Sequence, residues 1–273
     1  MLATSLHSDP NYEQTIQKWR QEREAKLKAE GGWLTLAGLV WLKEGANTIG
    51  SAPASDITLS RGPERLGTIR YTKGHAEFEP APGIPLKAMP LKSDANDAEP
   101  DVVKYGDFSF FVIHRGNRDA IRLRDLQSDA VKSFTGLHWY PVRPEYRVTA
   151  KWVPYDPPKV LSIPNILGET EKTPSPGHAE FTLNGKQFTL EPVIEDGDLF
   201  FIFRDQTAGK ETYPPGRFLH ADLPKNGNVV LDFNKAYTPP CAFTPYATCP
   251  LPPPQNKVPI RIEAGELNYG HHR

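Results

Sequence analysis

Proline sets the tightest limit on this chain. There are 28 prolines in 273 residues, roughly twice the usual share. They punctuate short apolar runs throughout instead of forming one tract. Proline fixes φ and lacks an N–H, so this spacing favours many turns and short strands over long helices.

One stretch escapes the rule. Residues 10–30 read as a helix, opened by Pro10 with Asn11 as cap and ended by Gly31-Gly32. Tyr12, Ile16, Trp19 and Leu27 recur at helical spacing, as expected of a helix docked by one stripe. From Trp33 the texture becomes short β-rich runs bounded by Gly, Pro, Ser or Asp, the pattern of a sandwich or barrel. HWYPVRPEYRV reads as a linker that packs, and PSPGH at 174–178 reads as a turn. Asn184-Gly185 then announces a hairpin, Asp196-Gly197 and Asn226-Gly227 are turns that each precede a strand, and PIRIEAGE reads as the last strand. The expected fold is mainly β. It has an N-terminal helix and lead-in at 1–32, a β-sandwich at 33–126 and a packed linker at 127–158. A second antiparallel β unit with a Pro/Cys-rich loop follows at 159–273.

The 32 basic and 33 acidic residues leave a net charge of −1. That balance gives no reason to expect a nucleic-acid or anionic-membrane partner. No apolar run approaches the roughly 20 residues of a membrane span. The first residues lack the basic start and apolar core of a secretory signal, so a cytoplasmic address is expected.

LKEGANTIGSAPASDITLS, LGTIRYTKGHAEFEP and YGDFSFFVI resemble the forkhead-associated β-sandwich over about residues 34–113. Gly50, Asp56-Ile57 and Gly106-Asp107 carry the likeness. The resemblance implies a sandwich, and in that family an arginine and a Ser-x-x-His pair grip phosphothreonine. Here Ser51 and Leu66-Gly67-Thr68-Ile69 stand in their places, so the phosphopeptide grip is not implied.

Residues 213–256 concentrate the candidate chemistry. Arg217 follows Gly216, which lets backbone come close while the guanidinium offers a fork of donors to an anion. Alternatively Arg217 pairs internally with Asp205 or Asp232. Asp232 and Asn234 end an apolar strand; they can hold a turn or bind a metal or a sugar hydroxyl. Glu266 is a further acid, and Tyr213, Tyr237, Tyr246 and Trp139 are candidate walls. Cys241 and Cys249 are too far apart for a redox or zinc pair of the usual spacing. They can act as small buried hydrophobes, close a disulfide, or leave Cys241 as a nucleophile if a histidine such as His220 lies near. Asp232 and Glu266 are the other candidate catalytic groups. No metal site is expected, and no cofactor is indicated.

GRFL, VVLDFNKAYTPPCAF, CPLPPPQN and AGE together resemble an uncharacterised bacterial and archaeal family known only as a domain of unknown function. The resemblance marks this C-terminal block as the family hallmark and implies no activity. Two readings of function follow. In one, a pocket of the C-terminal β unit binds a small anionic ligand, with or without catalysis. Arg217, Asp232, Asn234, Tyr213, Tyr237 and Trp139 would contact that ligand. In the other, the chain is a non-enzymatic module that binds a protein partner, with the proline-rich block as brace.

Overall fold

The structure, a computed structural model, describes residues 10–270, apart from the side chains of Pro10 and Asp97. The first nine residues of the expected lead-in lie outside the described residues. The chain is mainly β, with one long helix and several antiparallel sheets. It divides into two compact units: Gly32–Ser133, and residues 10–31 together with 134–270.

The Gly32–Ser133 unit begins with a single turn at Trp33–Thr35 and then nine strands. They are β1 (Leu36–Trp41), β2 (Gly45–Gly50), β3 (Ile57–Thr58), β4 (Gly67–Thr72) and β5 (His75–Pro80), then β6 (Met89–Leu91), β7 (Val103–Tyr105), β8 (Phe108–Arg115) and β9 (Arg118–Asp125). One sheet has the order β1-β9-β8-β7 and the other β3-β2-β4-β5-β6. Their facing residues, among them Ile49, Ile69, Phe78, Phe110, Val112 and Ile121, form one buried core. Within WLTLAGLVWLKEG the strand is Leu36–Trp41, with an irregularity between Leu36 and Gly38. Gly50 lies so close to the Glu64 carbonyl that a Cβ would collide with it. Asp56 reaches back across the β2–β3 turn, accepting from Thr48 N at 2.9 Å and Thr48 Oγ1 at 2.8 Å.

The other unit holds helix α1 (Pro10–Lys28). Asn11 sits inside its first turn, not ahead of it. Ile16, Arg20 and Leu27 are buried, so the docking stripe carries an arginine among apolar residues. The helix belongs to the same unit as the C-terminal half instead of standing apart. The 127–158 linker also resolves differently. Strand β10 (Arg147–Pro164) begins well inside it and pairs with β11 (Thr170–Leu183) in a long hairpin. Pro174 and Pro176 lie inside β11, where a turn was expected. Proline is tolerated there because β12 (Lys186–Leu190) pairs only from Ala179 onward, leaving an edge that needs no donor.

β13 (Val193–Glu195), β14 (Asp198–Phe203) and β15 (Arg217–Ala221) make a second sheet, and β16 (Asn228–Asp232) joins β10. All three Asx-Gly turns are present, each with positive φ at both central residues: 51° and 74°, 52° and 85°, 53° and 74°. That is the backbone a two-residue primed turn requires. The first two close hairpins, and the third turns between strands of different sheets, closed by the bridge Lys225–Asn228. Phe181, Leu199, Phe201, Phe203, Leu219, Leu231 and Phe233 are central to this unit's core.

PIRIEAGE is not a strand. Its backbone is held by isolated bonds: Val258 N donates to Arg204 O at 2.9 Å, Gln206 N to Ile260 O at 2.9 Å, and Glu266 N to Ala236 O at 2.8 Å. Between them, side chains replace a strand partner.

Candidate functional site

Those replacing side chains are Arg217 and Asp205. Gly216, at φ 142°, brings the chain so close to the Phe203 carbonyl and Pro252 that a Cβ would clash with both. Arg217 follows, at 1% exposure. Its Nη2 donates to Ile262 O at 2.9 Å and Asp205 Oδ1 at 3.3 Å, and its Nη1 donates to Ala264 O. Asp205 in turn accepts from Ile262 N at 2.7 Å and Thr207 Oγ1 at 2.9 Å. Both Nη atoms are committed to protein acceptors, and Nε is buried without one among the described residues. The pairing with Asp205 is the internal one, and it ties the extended segment at 260–264 to the core.

Asp232 and Asn234 sit elsewhere in the unit. β16 ends at Asp232, whose Oδ1 accepts from Asn234 N at 3.2 Å and so caps the turn Phe233–Lys235. Asn234 is fully buried. Its Oδ1 accepts from Arg143 N at 2.9 Å while its Nδ2 donates to Arg143 O at 2.8 Å. A single amide thus replaces a strand neighbour for Arg143. Tyr12 arrives from α1, donating its hydroxyl to Asp232 Oδ1 at 2.7 Å and accepting from Asn234 Nδ2 at 3.0 Å. Burial and the Asp232 carboxylate push the Tyr12 phenol well above its ordinary range.

In front of this network lies an open cavity of ≈ 470 Å³, lined by Tyr12, Thr15, Pro144, Arg147, Asp232 and Lys235. Arg147 Nε stands 4.0 Å from Asp232 Oδ2, with side chains 52% and 11% exposed. Two cations and one carboxylate face the same space.

Glu266 belongs to a third cluster. Its side chain is fully buried, and Arg23 Nε donates to Oε2 at 3.0 Å. Arg23 also donates to Thr238 O at 2.8 Å and lies 4.4 Å from the centre of the Tyr237 ring. Burial pushes the Glu266 carboxyl up against the opposing pull of Arg23. The Tyr237 hydroxyl lies 2.9 Å from His220 Nε2, and Glu195 Oε2 lies 3.5 Å from the same nitrogen. Burial lowers His220, while burial and Asp196 push Glu195 up to about 7. Trp139 pairs its backbone with Glu266, meets Trp19 edge-on at 5.6 Å and lies under Arg20 at 4.8 Å.

Cys241 and Cys249 form a disulfide, with Cα atoms 6.1 Å apart. Cys241 therefore has no thiol to serve as a nucleophile. With Tyr213, Ile166, Leu251 and prolines 215, 250 and 252, the bridge lines an apolar recess of ≈ 10 Å³, scarcely room for one water. Among the described residues no group of three or more His, Cys, Asp and Glu is placed to hold a metal ion.

The sequence-predicted residues thus fall in four places: Arg217 in the core, Asp232 at the cavity with Asn234 buried against it, Glu266 with Tyr237 and Trp139 under α1, and Tyr213 with Cys241 at the recess. Sequence reasoning missed Tyr12, Arg147 and Lys235 as cavity walls. Lys235 is adjacent to Asn234, and Arg147 pairs with Asp232 across two strands. The only sequence signal for Tyr12 was its place on the helical stripe.

The fold and this block define a mainly β chain organised around the GRFL-to-AGE segment, with no helix among the described residues long and apolar enough to cross a membrane. Residues 132–267 match the family described as "Protein of unknown function (DUF1684)", and the chain belongs to that family. It is similar to an uncharacterized protein of Haloarcula marismortui solved by solution NMR. The two are 31% identical over 50% of this chain and 78% of that one, with a TM-score of 0.42. No curated protein matches the chain.

Proposed function

We propose that this protein binds a small anionic ligand in the cavity between α1 and the end of β16, with Arg147 and Lys235 as the anion-holding groups. The observation that carries this reading is the ≈ 470 Å³ opening in which those two cations face a carboxylate already fixed by Tyr12 and Asn234. Cavities of that size suit small molecules, and a few convergent polar groups supply their specificity. In this reading Asp232 contacts the ligand, Asn234 positions Asp232 and the Arg143 backbone, and Arg217 holds the core behind them. Titration calorimetry with inorganic phosphate at constant ionic strength tests it. Saturable binding, weakened about ten-fold or more in both Arg147→Ala and Lys235→Ala, is expected from the loss of a charge-assisted bond. Absence of binding, or indifference to both substitutions, refutes it.

In the same reading the Gly32–Ser133 unit is a forkhead-associated-like scaffold that does not read phosphopeptides. In support, the Ser51 hydroxyl donates inward to Gly62 O at 2.8 Å, and Arg61 in the neighbouring loop is held by Asp125 at 2.7 Å. A phosphothreonine peptide titrated into the protein is expected to give no saturable signal; binding lost on Arg61→Ala would overturn this.

A further inference from the structure

We infer that the ligand of this cavity is a phosphorylated polyol, a sugar phosphate in chemical class. The inference rests on the anion-binding reading above and names its substrate class. It comes from the two oxygens of Asp232, which the structure treats differently.

Among the described residues, every hydrogen bond to Asp232 falls on Oδ1: from Tyr12 Oη at 2.7 Å, Asn234 N at 3.2 Å and Asn234 Nδ2 at 3.3 Å. Oδ2 has only Arg147 Nε, at 4.0 Å, beyond hydrogen-bond range. The carboxylate is thus immobilised through one oxygen while the other keeps its acceptor capacity at the cavity wall. A site built for a bare anion gains nothing from such a group, because a fixed carboxylate repels phosphate or sulfate. It gains when the ligand carries a donor beside its anion. The carboxylate then accepts from that donor while Arg147 and Lys235 hold the charge.

Charge and size select the donor. Two cations against one carboxylate leave the walls net positive, which suits a dianion with neutral hydroxyls better than a zwitterion whose ammonium cancels its own carboxylate. The ≈ 470 Å³ volume also exceeds what a lone phosphate fills. Pro144 gives one apolar wall for a C–H face, and Thr15 a hydroxyl. Thr15 Oγ1 donates inward to Asn11 O at 2.9 Å, leaving its oxygen as an acceptor.

Calorimetry on the full chain with inorganic phosphate, glucose 6-phosphate and serine at one ionic strength tests the inference. Glucose 6-phosphate is expected to bind about ten-fold more tightly than phosphate, the effect of one hydrogen bond to a charged acceptor. In Asp232→Asn, which keeps the turn-capping oxygen, that advantage should shrink to about two-fold or less, because the cavity-facing position then carries an amide NH2, which donates and cannot accept from the hydroxyl. Lys235→Ala should weaken both phosphates in proportion and leave the advantage intact. Equal affinity of phosphate and glucose 6-phosphate would overturn the polyol inference and leave the anion site standing. Serine binding more tightly than glucose 6-phosphate would also overturn it, and binding of none of the three would remove both.

Discussion

The C-terminal half contains two arginine–aspartate pairs that look alike on paper and behave as opposites. Arg217 and Asp205 meet at 3.3 Å with side chains 0% and 2% exposed, and carbonyls and amides of the 260–264 segment surround them. Arg147 and Asp232 stand 4.0 Å apart with side chains 52% and 11% exposed, one carboxylate oxygen fixed and the other open. The first pair is buried, with both Nη atoms and both carboxylate oxygens committed to protein partners, so it holds the fold. The second is gapped, so it keeps the capacity to hold something else. Residue type does not separate a structural ion pair from a binding one; burial and solvation do.

The sharpest way to break this contrast is at Arg217. Replacement by methionine keeps much of the volume but leaves Asp205 and two carbonyls buried without their donor. A loss of about 3–5 kcal/mol is expected from breaking a buried pair, read by urea denaturation with circular dichroism. A variant as stable as the parent would mean that the core pair is dispensable. Asn234→Ala comes next. It strips the amide that serves the Arg143 backbone and should cost about 1–3 kcal/mol for unsatisfied buried groups. The same denaturation would show a negligible change if water takes over those bonds.

The smallest effect is expected at Glu195. Its folded-state value lies near 7, above its ordinary one. The stability this group contributes is therefore fully present below the unfolded value and is lost as pH rises through about 7. His220 moves the other way, because burial favours its neutral form. The Glu195 side chain is 49% exposed, so solvent screening holds the effect below about 1 kcal/mol. In Glu195→Gln, the fall in melting temperature between mildly acidic and mildly basic pH should flatten; an unchanged slope would place that titration elsewhere.

Much of the architecture was legible in the sequence because its signals are local. Asn-Gly and Asp-Gly turns demand a positive φ at two successive residues, so all three turns could be read directly. The helix announced itself by spacing. What was not legible depends on partners far along the chain. PIRIEAGE alternates like a strand, but Arg217 and Asp205 satisfy its backbone in a strand's place. Pro174 and Pro176 look like turn residues until the open edge of β11 is known. The proline–cysteine loop closes on itself by a disulfide, where a cytoplasmic address would favour thiols.

The candidate site was legible in part for the same reason. Asp232 and Asn234 stood out because two short polar residues end an apolar strand. Arg147 and Tyr12 did not, since one is a single charge at a strand start and the other a helical stripe residue more than two hundred positions away. The resemblance to the family marked a block of the chain without saying which of its polar residues face solvent.

The most direct measurement is the thermal unfolding of the parent and of Arg147→Ala, each in phosphate and in chloride at equal ionic strength. A ligand that binds only the folded state raises its melting temperature by mass action. The account predicts that phosphate stabilises the parent and not Arg147→Ala, while the two melt together in chloride because the half-exposed arginine adds less than about 0.5 kcal/mol to the fold. If phosphate stabilises both equally, or if Arg147→Ala already melts far below the parent in chloride, the gapped pair is a structural pair after all and the contrast with Arg217 fails.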